Sequence, residues 1–371
     1  MFRLKEGTIT SHGLFNVLTI LLITKLFLGV PRTLAEEGGS AAWLLVLTSA
    51  AIAAFGILIL TKLIKRFPGK NLVQIAEILW GSPGRILTCL ILSLFFTAIA
   101  TAAVREFAET MLTTVLPRTP ISIVISIFVI TMLLGAYNGI EVITRSSTLL
   151  LPFILAGIIS LLLLSSNFIN FSNLFPLLGT GLGQILYHSP GKSSIYTDII
   201  FAGLITANIS DRDKIPVTIW KAFIFSVALT ILIELFYLAV LRLSAAEKLY
   251  IPLYQLARII YLGRFVQRIE AIYILIWFFT EALNLTLALY AAVVSLSWGF
   301  KIPIYQPLLF PWCLLIFSTS LIPADMVTAV ALDIRVLREY SAIFIWGLPM
   351  ALLATALLRR KGGLNEKKQE T

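Results

Sequence analysis

The sequence predicts an all-α integral membrane protein whose chain crosses the bilayer ten times. Three observations carry this. Hydrophobic residues make up 58% of the 371 residues and charged residues only 13%, with a mean hydropathy of +0.95; a soluble globule is nearer half apolar and a quarter charged. Ten apolar stretches each approach the roughly 20 residues that span about 30 Å of hydrocarbon. Two of them, at first and sixth place, are interrupted by glycine, proline and a lysine. Paired interruptions of that kind, one per half, point to a transporter-type binding site.

The spans are expected near residues 13–31, 41–60, 86–116, 121–137, 147–166, 183–208, 217–241, 269–298, 304–322 and 340–358. No small-residue cleavage site follows the first run, so it is expected to remain as a helix. Its interruption runs through Thr24, Lys25, Leu26, Phe27, Leu28, Gly29, Val30 and Pro31. After the second span, Lys62–Gly84 is basic, with Val73, Ile75, Ile78 and Leu79 at mixed helical spacing, and reads as a short interfacial helix. Asn138 to Ser147 reads as a polar junction between the fourth and fifth spans. The sixth span carries Ser189, Pro190, Gly191, Lys192 and Ser193. Leu243–Arg268 holds Ile251, Pro252 and Leu253, then Leu256, Ile259, Ile260 and Leu262, and is expected to fold as one or two short helices over the outer mouth. Residues 1–360 read as one membrane domain, and 361–371 as a disordered cytoplasmic tail.

Orientation follows from lysine and arginine in the connections. With the N-terminus inside, the cytoplasmic segments hold seventeen, from Arg3 to Lys368, and the opposite segments nine. Five of those nine (Arg242, Lys248, Arg258, Arg264, Arg268) crowd one loop. Both termini are therefore expected in the cytoplasm. The net charge of +10 fits attraction to anionic lipid, and no compact basic domain offers itself to nucleic acid. Cys89 and Cys313 are too few and too embedded for a disulfide framework or a metal site. The sequence holds no nucleophile elbow, zinc spacing or dinucleotide loop, so neither enzyme nor cofactor is expected.

A lysine in lipid costs a few kcal/mol, so an intramembrane lysine faces a partner, a cavity or a ligand. A half-helix beginning near Ser193 would aim its amides and positive end at the gap, with Lys192 beside it and Lys25 near the related gap. That combination favours a carboxylate-bearing ligand lined by Thr24, Lys25, Leu28, Gly29, Tyr187, Ser189, Pro190, Gly191, Lys192 and Ser193. The plainer alternative is that Gly and Pro are merely frequent in membrane helices and Lys25 snorkels outward. Ser189–Ser193 is not a phosphate loop, because Leu186 stands where that motif needs glycine. In the third span Arg105 and Glu109 can pair at i,i+4, or with Glu106 line a polar pathway. Glu281, with Asn284 and Thr286, lies near the middle of the eighth span with no cation within one turn. It reads equally as a proton carrier or as a neutral acid joining helices. Asp198 and Glu234 are weaker candidates of the same kind, and His188 flanks the sixth-span break, where packing is the commoner role.

Several motifs resemble the spore germination permease family, the B subunits of nutrient germinant receptors in endospore-forming bacteria. They are Leu28, Gly29, Val30, Pro31 and Arg32; Lys65, Arg66, Phe67, Pro68, Gly69 and Lys70; and Val104, Arg105, Glu106 and Phe107. Gly139, Ile140, Glu141 and Val142, and Arg268, Ile269, Glu270 and Ala271, continue the pattern. The resemblance covers about residues 8–360. It implies a five-plus-five inverted repeat of the LeuT-like type found in the amino acid–polyamine–organocation superfamily, with ligand between broken helices 1 and 6. It also implies a larger A subunit and a lipoprotein C subunit as partners, and the spore inner membrane as location. This chain departs from many members at Lys25, where they have small residues, and at Lys192, near which they have an acid.

Two functions follow. The first is a membrane receptor subunit that binds a small nutrient, an amino acid above all, and signals germination through its partners. The alternative is an autonomous proton-coupled amino acid permease.

Overall fold

The computed structural model describes residues 7–260, 269–332 and 339–362. The expectations resting on Arg3, Lys5, Leu262, Arg264, Arg268 and the tail 363–371 lie outside the described residues. The described residues are mostly helical, joined by turns and short irregular connections, with one parallel bridge between Ile9 and Ile209. Six helices are long and apolar enough to cross a membrane, and Ser11–Phe27 and Ile121–Tyr137 are shorter apolar helices.

The first span divides as expected. Helix α1 (Ser11–Ile23) is capped by Thr10, whose side chain accepts from the Gly13 amide. Thr24 Oγ1 donates to the Ile20 carbonyl at 2.6 Å, a back-bond that bends helices. The chain tightens into a 3-10 turn over Thr24–Phe27. Leu28 then adopts extended dihedrals, φ −95° and ψ −156°, and α2 (Val30–Gly38) starts with a proline in its first turn, where a missing N–H costs nothing. Helix α3 (Ala42–Arg66) returns to the starting side.

Helix α4 (Leu72–Thr114) joins two pieces across a kink at Gly81, φ +73°. Its first piece is the interfacial helix read from the sequence, opened by a capping box of Asn71 and Gln74. Helices α5 (Ile121–Tyr137) and α6 (Gly139–Ser165) follow. The polar junction expected over Asn138 to Ser147 is not one. The chain reverses at Asn138 and Gly139, φ +81°, and the helix resumes at once. Glu141 and Arg145 pair at 2.5 Å one turn apart, so the polar stretch fits a helix end.

The second half opens with α7 (Leu182–Lys192), a 3-10 segment over Ser193–Ile200, and the four-residue α8 (Phe201–Leu204). Helix α9 (Ile215–Val240) precedes α10 (Leu243–Ala246) and α11 (Pro252–Ile259), the short helices expected in that connection. Helices α12 (Ile269–Phe300), α13 (Gln306–Ser320), α14 (Met326–Ala331) and α15 (Glu339–Leu358) complete the chain; α14 was not expected.

The packing is two-fold in character. α1 lies on α9 and α3 lies on α7, matching contacts between halves, while α4 and α12 form the most extensive pair. Both interruptions are buried at the centre of this arrangement: Thr24–Phe27 and Ser193–Ile200 are buried throughout. Non-helical backbone is tolerated at membrane depth only when protein surrounds it.

Close packing of α3 on α15 relies on Gly56, where a Cβ would come within 2.3 Å of the Trp346 ring. An indole wedged in the core cannot swing aside, and overpacking of this kind costs about 1–3 kcal/mol. Gly56→Ala should lower the unfolding midpoint of the detergent-solubilised protein. Gly347→Ala, whose Cβ would meet nothing within 4 Å, should leave it unchanged or slightly raised.

Candidate functional site

The two interruptions are joined by a buried ion pair. Lys25 Nζ lies 2.9 Å from Asp198 Oδ2 and donates to the Ile195 carbonyl at 2.5 Å. Lys25 is 3% exposed and Asp198 1%. Among the described residues neither Asp198 oxygen accepts a hydrogen bond, so its link to Lys25 is an ionic contact. The ammonium thus ties the 3-10 turn of the first span to the 3-10 segment of the sixth. Snorkelling to the outer surface, the alternative for Lys25, does not occur.

A second pair runs the opposite way. Lys192 Nζ lies 2.8 Å from Glu37 Oε1, and His188 Nδ1 lies 3.3 Å from Glu37 Oε2. Lysine on the first span meets an acid on the sixth, and lysine on the sixth meets an acid on the first. The pairs differ in burial: Glu37 is 23% exposed, so the outer pair is partly solvated and the inner pair is dry.

The backbone of the sixth span differs from expectation. No α-helix begins at Ser193 with free amides facing a gap. The Ser193 amide bonds back to the end of α7, and the 3-10 hydrogen bonds continue for eight residues. Ser193 Oγ donates to the Pro190 carbonyl at 2.7 Å and Thr197 Oγ1 to the Ser194 carbonyl at 2.7 Å. The donors thought to face a ligand are therefore engaged within the segment. Runs of 3-10 helix beyond three or four residues are uncommon, and inside a longer helix they mark a hinge or strain.

Among the other expected residues, Ser189 is buried and shares a 2.6 Å hydrogen bond with Thr48. Leu28 is buried and Gly29 half-buried. Tyr187, 78% exposed, stacks edge-on against His188. Pro190 is exposed and Gly191 half-buried, so these three stand apart from the dry pair. Arg105 and Glu109 form the expected i,i+4 pair at 2.6 Å, and Arg105 also donates to the Ser320 carbonyl at 3.3 Å. Glu106 is buried beside them. Glu281 is fully buried and accepts from Asn284 at 3.1 Å. Glu234 is fully buried too, with neither carboxyl oxygen hydrogen-bonded among the described residues.

Sequence reasoning missed an aromatic cluster beside the first interruption. Phe27 lies 5.6 Å from Tyr273, Tyr273 lies 6.2 Å from Trp277, and Trp277 lies 4.6 Å from Phe107. Tyr254 on α11 closes on Tyr273 at 6.3 Å. The Tyr273 hydroxyl and Trp277 Nε1 are buried without hydrogen-bond partners among the described residues, whereas buried polar groups normally find one. Tyr273, Trp277 and Glu281 stand four residues apart on α12, a single-face spacing visible in the sequence. Glu37 was also missed. His188 and Lys192, one turn apart on α7, were the signal that an acid should face them. A separate, largely apolar cavity of about 370 Å³ lies between α4 and α15 and reaches Thr197, next to Asp198.

Breaking a buried ion pair by removing one partner costs about 3–5 kcal/mol, because the other charge is left uncompensated. Lys25→Met should therefore destabilise the protein by that amount in a denaturing-detergent titration. The double change Lys25→Met with Asp198→Asn should regain most of it. Additive losses would mean that the two side chains do not act as a pair.

The fold matches known transporters. Similar structures include MhsT in complex with L-phenylalanine, with a TM-score of 0.69 at 14% identity over 94% of this chain and 93% of that one. The closed conformation of Mhp1 with bromovinylhydantoin bound gives 0.65 at 13% identity over 98% and 82%. Similar curated proteins include spore germination protein KB of Bacillus subtilis (strain 168), 26% identical over 80% of each chain. Spore germination protein GerLB of Bacillus cereus is 26% identical over 91% of each. A family model described as "Spore germination protein" matches residues 8–328, and the chain belongs to that family of spore germination permeases.

Proposed function

We propose that the protein is the membrane subunit of a nutrient germinant receptor, binding an amino acid between its interrupted first and sixth spans and signalling through A and C partner subunits. The observation that carries the reading is the set of two opposed lysine–acid pairs, Lys25–Asp198 between the interruptions and Lys192–Glu37 between α7 and α2. An amino acid bears one cation and one anion. Inserted into a parted Lys192–Glu37 pair, it places its carboxylate on Lys192 and its ammonium on Glu37, and every charge stays matched. The Lys25–Asp198 pair is the wrong one to part, since its dry setting makes separation costlier. The aromatic cluster offers apolar surface and two donors that have no partner among the described residues, beside the first interruption. The relatives' names support the germination role, and a fold neighbour solved with L-phenylalanine supports the ligand class.

One observation favours the alternative of a proton-coupled permease. Glu234, buried with no hydrogen-bond partner among the described residues, is the kind of intramembrane carboxyl that marks proton relays. Both readings need the same binding site. They differ in flux, so uptake into proteoliposomes under a proton gradient separates them: sustained accumulation of a bound amino acid supports the permease, and binding without accumulation the receptor.

A charge-assisted hydrogen bond contributes roughly 1.5–3 kcal/mol. In a calorimetric screen of the purified protein against the common amino acids, Lys192→Met should weaken binding about ten- to a hundred-fold. Unchanged affinity in a folded variant would remove Lys192 from the site, and failure of every amino acid to bind, alone or with co-expressed partner subunits, would overturn the ligand class.

The lysine and arginine bias supports a topology with both termini in the cytoplasm and α11 on the outer side of the membrane, which on this reading is the spore inner membrane. With Cys89 and Cys313 replaced by alanine, Gln255→Cys on α11 should react with impermeant reagent added outside. Reaction from the inside alone would invert the topology.

A further inference from the structure

At the end of the bundle where α3 ends and α12 ends, two cations share one carboxylate over a cavity. Glu77 Oε1 receives Arg85 Nη1 at 2.5 Å and Lys301 Nζ at 2.9 Å. Arg85 Nε also donates to the Gly299 carbonyl at 2.8 Å. The three side chains, with Gln74 and Trp298, line a cavity of about 210 Å³. Two cations and one anion leave one positive charge facing it. Among the described residues, Arg85 Nη2 and the remaining ammonium hydrogens of Lys301 donate to no protein group.

Three further observations bear on what the cavity holds. Lys301 sits at the end of α12 with φ +57°, a conformation that disfavours a side chain by about 1–2 kcal/mol. The Ile302 amide bonds the Ser297 carbonyl at 2.9 Å, the helix-ending arrangement that usually recruits glycine. A lysine kept there despite the strain delivers its ammonium to the cavity. Second, the positive field extends beyond the cavity. Lys361 Nζ donates to the Ile78 carbonyl at 3.0 Å, and Arg359 donates to the Leu79 carbonyl. Third, the flank is apolar: Ile86, Leu87, Leu90, Phe300 and Ile304 are exposed around the charged centre. The neighbouring Leu94 carries that surface up α4 at 66% exposure.

We infer that this cavity binds a phosphoryl anion, in the form of an anionic lipid headgroup of the leaflet facing this end, with the acyl chains lying along the exposed leucines of α4. Basic pockets between membrane helices on the cytoplasmic side take anionic headgroups by the same chemistry. Arg85 offers a planar donor edge to phosphate and Lys301 a second, mobile cation. Glu77 keeps the cations in place when the site is empty and is offset by both of them when it is full. A bound headgroup would join the interfacial piece of α4 to the end of α12, the partner against which α4 packs most extensively.

The test uses the full chain in maltoside detergent. Its unfolding midpoint is followed against dioctanoyl phosphatidylglycerol, dioctanoylglycerol and inorganic phosphate. Phosphatidylglycerol should raise the midpoint saturably, and dioctanoylglycerol, which lacks phosphate, should not. Lys301→Gln should move half-saturation to about tenfold higher lipid, the loss of one charge-assisted contact. Lys62→Gln, which removes an exposed lysine at the same end of the bundle, should not move it. Lys301→Gly should be more stable than the parent without lipid, because the strain is relieved, and yet lose most of the lipid response. Protection by inorganic phosphate at the same concentration would support the phosphoryl site and make a soluble anion its source. Equal responses in Lys62→Gln and Lys301→Gln would mean diffuse surface charge and overturn the proposal, as would protection by dioctanoylglycerol.

Discussion

An ammonium group in the middle of an apolar bundle constrains everything around it. Lys25 is closed off from solvent, and the transfer of such a charge from water is tolerable only where opposite charge and acceptors await it. Asp198 supplies the charge and Ile195 the carbonyl, and both sit on a stretch that is not α-helical. The interruption of the first span places Lys25, and the 3-10 segment of the sixth presents to it both the Asp198 carboxylate and the Ile195 carbonyl. The two irregularities therefore depend on one another, which is why they share the centre of the bundle and why the matched contacts of α1 on α9 and α3 on α7 enclose them.

The same dependence explains how backbone irregularity survives at this depth. At the first interruption Thr24 returns its hydroxyl to Ile20, Leu28 is extended, and Pro31 falls where no N–H is needed. At the second, Ser189, Ser193 and Thr197 return hydroxyls to the carbonyls of Ile185, Pro190 and Ser194. Hydroxyls spaced four residues apart along one segment cover the acceptors that the change of helix type disturbs. This local satisfaction is compatible with more than one helical winding, because each hydroxyl can reach a carbonyl three or four residues back. A segment of that design can change its pitch without stranding a polar group.

Much of the architecture was legible because composition and span length are coarse signals that tertiary contacts do not override. The spans, the interfacial helix before the third, and the short helices near Pro252 all follow from apolar run length and charge placement. The junction near Asn138 was misread because a polar run looks like a loop, whereas one left-handed glycine and an Glu141–Arg145 pair let it be helix. Free amides at Ser193 were misread for a related reason. Proline and glycine mark an interruption without saying whether the chain unwinds or tightens, and tightening keeps the amides engaged. At the candidate site, both lysines were visible as anomalies, but their partners were not. Asp198 could have been sought for Lys25, yet it lies 173 residues away, and Glu37 sits beyond the apolar run in what reads as a connection. The Tyr273 hydroxyl and Trp277 N–H are invisible as special without coordinates, since only the lack of a hydrogen-bond partner among the described residues distinguishes them from ordinary core aromatics.

The unequal burial of the two pairs sets an order on any rearrangement of the centre. Glu37 is partly solvated, so water can take up some of its charge as Lys192 withdraws, and His188 remains beside it as a second partner. Asp198 has neither resource. On the proposed reading the outer pair opens while the inner one stays closed, and the inner pair is the fixed point about which α2 and α7 shift. A ligand that carries both charges favours that opened state on this reading, because it matches Glu37 and Lys192 at once, whereas an anion alone leaves Glu37 to His188 and a cation alone leaves Lys192 unmatched. Selectivity for a zwitterion is what the proposed function expects of opposed lysine–acid pairs across two helices, before any contact with the ligand's side chain is considered. On the same reading the ligand's side chain is met by the aromatic cluster at Phe27, Tyr273 and Trp277, which is buried beside the first interruption.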